Sequence, residues 1–225
     1  QKILVVGLPQ IAVKESIDRV LQSIANSGFA IKWRRVLINL APADVKKDGP
    51  SLDLPIAIGL LRGSKYITTE RARDYLIAGE LALDGRVRKI KGGLSLALLA
   101  KRQKKSGVIV PQDNARECAV VEGIDVIPVT TLTQATSFLN GNLEIDPFTL
   151  DDKPYALSQL EDAPDFADVR GQEGVKRAVT LAAAGAHNLL MMGPPGTGKT
   201  MLASRLAGIL PPLSREESLE TTRIY

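Results

Sequence analysis

Between Asn188 and Pro212 the chain reads NLLMMGPPGTGKTMLASRLAGILPP: a short apolar run, a glycine loop and a helical pattern in series. The loop, Gly193-Pro194-Pro195-Gly196-Thr197-Gly198-Lys199-Thr200, satisfies G-x-x-x-x-G-K-[ST] at every fixed position. This feature constrains the fold most, because such a loop works as the turn between a strand and a helix, where backbone amides converge on an anion. Gly193, Gly196 and Gly198 let those amides curl around a β-phosphate that side chains would obstruct. Lys199 supplies a mobile positive charge for the β- and γ-phosphates. The Thr200 hydroxyl is placed to join the oxygen shell of Mg²⁺. Asn188 to Met192 suits a buried parallel strand, and Met201, Leu202, Leu206 and Ile209 recur at helical spacing. ATP and Mg²⁺ are therefore the expected ligands.

The rest of the chain reads as α/β in two parts. From Ala12, the positions Val13, Ile17, Val20, Leu21 and Ile24 follow the helical period, with Gly28 as a stop. Strand-like runs follow at Phe29 to Trp33 and Val36 to Leu40, then a short buried helix in LDLPIAIGLL. YLIAGELAL and RVRKI flank Asp84-Gly85, a hairpin signal. A helix in LSLALLAKRQKKSG, the strand VIV, a polar helix holding Cys118, the strand DVIPV and a helix from Thr131 to Asn140 complete a domain over 1–141. From 142 to 166 the sequence is rich in Asp, Pro and Glu without a period, as in a linker. The second part, 167–225, opens with a helix from Glu173 to Ala186 whose alanines allow close packing.

Composition narrows the chemistry. The 225 residues carry a formal net charge of +4, mildly basic and compatible with nucleic-acid contact or with an ordinary soluble surface. Cys118 is the one cysteine and His187 the one histidine, so an internal disulfide and Cys- or His-rich metal sites are excluded. A reducing compartment follows as the expectation. No stretch has the length of a membrane span, and the first residues lack the pattern of a signal peptide. The start at Gln1 and the end about one helix past the phosphate loop read as a piece of a longer protein.

DVRGQEGVKRAVTLAAAGAHNLLMMGPPGTGKTMLASRLAGILPPLSREESLETTRIY, from Asp168 to Tyr225, resembles the start of the AAA+ module in the magnesium-chelatase-like family of ComM and YifB type. VVGLPQIAVKESIDRV and INLAPADVKKDGPSLDLPIAIGLL resemble the N-terminal domain of that family. The resemblance implies a ribosomal-protein-S5 domain 2-like fold, shared with the proteolytic domain of Lon, followed by a P-loop ATPase module. It also implies a bacterial, cytoplasmic, ATP-dependent homo-hexamer, for ComM-like members a motor in DNA branch migration. Gly193 to Thr200 would then hold the phosphates and Mg²⁺, with Pro194, Pro195 and Thr197 completing the loop. Val169 and Gly171 match the segment that AAA+ proteins place against the adenine; otherwise they form a linker-to-helix turn before Gln172. An ATPase also needs an acidic residue for Mg²⁺ and water, and an arginine from a neighbouring subunit. Neither is recognisable here, so this stretch is expected to bind nucleotide without turning it over. A protein-remodelling or magnesium-chelatase-like role is the alternative to a DNA motor.

The Lon likeness raises a third function. KKDGPS, Lys46 to Ser51, is close to the Lon phrase holding its nucleophilic serine, and Ser51 matches that residue. The mechanism needs a neutral lysine within hydrogen-bond reach. The matching position after Gly92-Gly93 is Ala97, which cannot take a proton. Lys101 lies one turn, about 6 Å, further along the helix, and Lys91 is the other lysine nearby. A turn capping the next helix through Ser51 or Asp53 is the expected role of this segment. Basic residues cluster around Trp33 (Lys32, Arg34, Arg35), at Arg86, Arg88, Lys89 and Lys91, and at Lys101, Arg102, Lys104 and Lys105. They fit a solvated face or a nucleic-acid surface with Trp33 available to stack.

Overall fold

The computed structural model describes residues 2–7, 11–31, 35–42, 49–150, 164–210 and 213–224. The chain divides into two compact units, 1–151 and 152–225.

In the first unit, β1 (Lys2–Val6) pairs in parallel with β2 (Arg35–Asn39) across helix α1 (Ile11–Asn26). Helix α1 buries Ser16, Ile17, Val20, Ser23 and Ile24, a stripe with the spacing of one helix face. Gly28 follows it at φ +85, a left-handed value that glycine adopts without a Cβ penalty. A tight turn (Pro50–Leu52) leads into α2 (Asp53–Gly63), which is apolar on most sides because the core surrounds it.

The centre of the unit is a three-stranded parallel sheet in the order β3 (Tyr75–Ile77), β6 (Gly107–Pro111), β7 (Asp125–Val129). Strand β6 is buried along its whole length, as a parallel strand covered on both faces must be. Alternation divides its side chains. Ile109 joins a core with Val20, Leu54, Leu61, Ile127, Leu132 and Phe138. Val108 and Val110 join another with Ala97, Ala100, Ala115, Cys118 and Val126. Helix α3 (Gly93–Arg102) and the one-turn α4 (Ala115–Cys118) supply the second core; α2 and α5 (Leu132–Leu139) supply the first. The Thr131 hydroxyl accepts a hydrogen bond from the Gln134 amide at 3.1 Å and caps α5.

The expected hairpin is present but shorter. Only β4 (Glu80–Leu81) and β5 (Val87–Arg88) pair across Asp84-Gly85, and YLI of YLIAGELAL joins the parallel sheet as β3. Residues 29–31 are not in a strand, and Lys32, Trp33 and Arg34 lie outside the described residues, as do Lys46 and Lys47.

The second unit contains α6 (Glu173–Ala184), α7 (Lys199–Ser204), α8 (Leu206–Ile209) and α9 (Arg215–Ile224). Val179 of α6 and Leu202 of α7 are its buried anchors among the helices. The stretch 188–192, expected as a buried strand, is in no ladder among the described residues, and Leu190 and Met192 are 82% and 85% exposed. An apolar run becomes a strand only where neighbouring strands take its amides and carbonyls. No described segment of this unit provides one.

Candidate functional site

The phosphate-loop residues gather as a single exposed turn. Gly196 and Gly198 stand at φ +82 and +80, conformations that residues with a Cβ rarely adopt. At Gly193 the constraint is space: a Cβ there would lie 3.3 Å from the Thr197 hydroxyl. Thr197 closes the turn by donating to the Pro194 carbonyl at 3.0 Å. Gly198 is the residue immediately before α7, so Lys199 and Thr200 begin that helix.

Lys199 folds back over the loop. Its Nζ donates to the carbonyls of Gly193 and Pro194, both at 2.8 Å, and approaches the Thr197 hydroxyl at 3.3 Å. These acceptors are neutral, and no carboxylate among the described residues pairs with this ammonium. The loop thus presents a positive charge over glycine-rich backbone, a fit for a polyphosphate. Thr200, the next residue, is exposed. Among the described residues no group of three or more His, Cys, Asp or Glu could hold a metal ion. Mg²⁺ at this loop would rely on Thr200, phosphate oxygens and water.

Of the residues matched to adenine contact, Val169 is 3% exposed and Gly171 is exposed at φ +70, followed by Gln172 at φ +61. Sequence reasoning missed Arg205, between α7 and α8. Its guanidinium donates to the Asp165 carbonyl at 2.9 Å, to the Met201 carbonyl at 3.0 Å and to the Asp168 carboxylate at 3.2 Å. It ties the segment before Val169 to the helix that starts at Lys199. A single arginine on a helix gives no motif, so only the long-range contacts reveal it.

Ser51 sits half-buried in the turn Pro50–Leu52 after Gly49 at φ +81. Neither Ser51 nor Asp53 caps α2, which lacks a side-chain cap at Leu52. The Asp53 carboxylate, fully buried, instead accepts two bonds from Arg19, at 2.7 and 3.2 Å, and one from the Leu81 amide at 3.2 Å. That bond to Asp53 drives the Arg19 pKa further up. Ala97 is fully buried in the core with Val108 and Cys118, whereas Leu52 and Leu54 beside Ser51 belong to the other core. Lys91 and Lys101 are exposed. No base accompanies Ser51 in any of these contacts.

The basic residues divide by their partners. Arg86 is paired with Asp84 at 2.7 Å, and Arg88 lies 3.8 Å from Glu80. The Arg86 amide and then its guanidinium hold the Asp84 carboxyl below its ordinary range. Lys105 donates to the Arg73 carbonyl at 2.7 Å. Arg35, Lys89, Lys91, Lys101, Arg102 and Lys104 are exposed, with no carboxylate partner among the described residues. His187 follows α6 and is exposed, close beside Gly185, where a Cβ would meet its ring at 2.4 Å.

Known proteins extend this geometry. Residues 1–114 match the family model "Subunit ChlI of Mg-chelatase", and residues 165–225 match "Magnesium chelatase, subunit ChlI". The chain is 44% identical to YifB of Escherichia coli K12 over 220 residues, 97% of this chain and 42% of that protein. It is 41% identical to the competence protein ComM of Haemophilus influenzae over 220 residues, 97% of this chain and 43% of ComM. An archaeal Lon protease from Methanocaldococcus jannaschii is 30% identical over 101 residues, 45% of this chain and 15% of that protease. The chain spans less than half the length of YifB and ComM. With both ends matched, it belongs to the magnesium-chelatase ChlI family and is similar to YifB and ComM proteins along nearly its whole length.

Proposed function

We propose that this chain is the Lon/S5-like domain (1–141), linker (142–166) and phosphate-loop portion (from 167) of a cytoplasmic AAA+ ATPase of ComM type. In this reading the whole protein is a homo-hexamer that uses ATP and Mg²⁺ to move branched DNA. Gly193 to Thr200 hold the phosphates and Mg²⁺, and Val169 and Gly171 face the adenine. Mg²⁺ would neutralise the phosphates and, with water, ready the γ-phosphate for attack. The observation that carries the nucleotide site is Lys199, a cation held by neutral carbonyls in a glycine loop. A charged phosphate outcompetes carbonyl acceptors, so ligand binding redirects the amine.

Lys199→Ala in the whole protein is expected to weaken Mg·ATP binding at least about tenfold, the cost of one charge-assisted contact. Equilibrium titration checks this. Equal affinity in the variant contradicts the assignment.

DNA as the substrate is supported by the similarity to ComM and by the exposed cations Lys89, Lys91, Lys101, Arg102 and Lys104, which have no carboxylate partner among the described residues. A protein-remodelling or chelatase-like role is the second reading, favoured by the matched family's description and by the ion pairs that occupy Arg86 and Arg88.

A further inference from the structure

Arg205 makes three kinds of contact at once, and all converge on the junction between the segment preceding α6 and the helix carrying the phosphate loop. Its Nε donates to the backbone of Asp165 at 2.9 Å, one Nη to the last turn of α7 at Met201 at 3.0 Å, and the other Nη to Asp168 at 3.2 Å. The arginine side chain is 16% exposed, whereas Asp168 is 57% exposed. The guanidinium therefore sits mostly out of water, a site where its planar fork is hard to replace. Asp165 is itself fixed, because its carboxylate accepts from the Ala167 amide at 3.2 Å. The Val169 amide donates to Phe166 at 3.0 Å and continues the same turn. Close packing secures the other side: a Cβ at Gly208 would lie 2.8 Å from the Pro164 carbonyl. Residues 164–169 are thus clamped to α7 and α8 at two points.

We propose that Arg205 is a positioning residue for the nucleotide base: it fixes Val169 and Gly171 at a set place relative to Lys199 and Thr200. This rests on the nucleotide reading above. The phosphates are gripped by the loop, whereas the base is recognised by a segment some thirty residues earlier in the chain. One ligand can engage both only if their separation is fixed. Arg205 supplies that spacing without touching the ligand. Loss of the clamp would leave the phosphate grip intact and remove the contribution of the base.

The test compares Mg·ATP with Mg·tripolyphosphate, which has the phosphates without the base, on the whole protein. Arg205→Ala is expected to weaken ATP about tenfold while changing tripolyphosphate by less than about twofold. Asp168→Ala removes one of the three contacts and is expected to shift ATP alone by a smaller factor; it serves if Arg205→Ala does not fold. Lys199→Ala must weaken both ligands. Equal losses for the two ligands in the Arg205 and Asp168 variants would assign the arginine to general stability and overturn the proposal. So would an unchanged ATP affinity in both. A wild-type protein that binds neither ligand would instead refute the phosphate-loop reading, and this proposal with it.

Discussion

At Asp53 a carboxylate without solvent contact is held by the Arg19 fork and by the Leu81 amide, so it joins α1, α2 and β4 at one point. Removing one partner of such a set leaves the others unpaired away from water. Asp53→Ala is expected to destabilise the fold by about 3 kcal/mol, read by denaturant unfolding. Ala97, the position matched to the Lon base, is buried in a different core from Leu52 and Leu54 beside Ser51. Cys118 lies in that core. Burial, and secondarily the Glu117 charge, raise its thiol to about 12. The folded state therefore holds the thiol proton more tightly than the unfolded chain. The resulting stability is complete below the unfolded thiol value near 9 and is lost as pH rises toward about 12. At pH 8 native Cys118 should resist alkylation until the protein unfolds; rapid labelling of native protein would contradict its placement. Arg19 and Asp53 lie 34 positions apart, so their pairing was invisible in the sequence, which suggested a helix cap for Asp53.

At the scale of elements, Asn114 shows how a loop is fastened without regular structure. Its side chain accepts from the Ile90 amide at 3.0 Å, donates to the Ile90 carbonyl at 2.8 Å and donates to Glu117 at 2.7 Å. It thereby sews the segment before α3 to the turn before α4. The Glu117 carboxylate occupies the space next to Gly93, where a Cβ would meet it at 1.9 Å. Asn114→Ala is expected to cost about 2 kcal/mol, with hydrogen exchange accelerating first around Ile90; uniform protection in the variant would contradict this. Elements with a strong period were legible: α1, α3 and α5 sit where the apolar spacing put them. The expected strand at 188–192 is not one, because no described segment of its unit pairs with it. The hairpin was shortened because Tyr75 to Ile77 found a better partner in β6, some thirty residues away. Within the candidate site, the loop itself was legible from its glycines and lysine, whereas Arg205 acts through backbone carbonyls that no sequence pattern marks.

For the whole molecule, two compact units carry different chemistry. The first has a central buried sheet and exposed cations at both ends of α3; the second has a glycine loop, exposed along most of its length, over which the Lys199 ammonium folds. No helix among the described residues is long and apolar enough to cross a membrane. In the proposed function the second unit holds the ATP site and the first handles the substrate. The most direct measurement is ATP hydrolysis by the whole protein with and without four-way-junction DNA, with Lys199→Ala as control. The account predicts strong stimulation by the junction that disappears in the variant; hydrolysis indifferent to DNA, or stimulation surviving in Lys199→Ala, would contradict it.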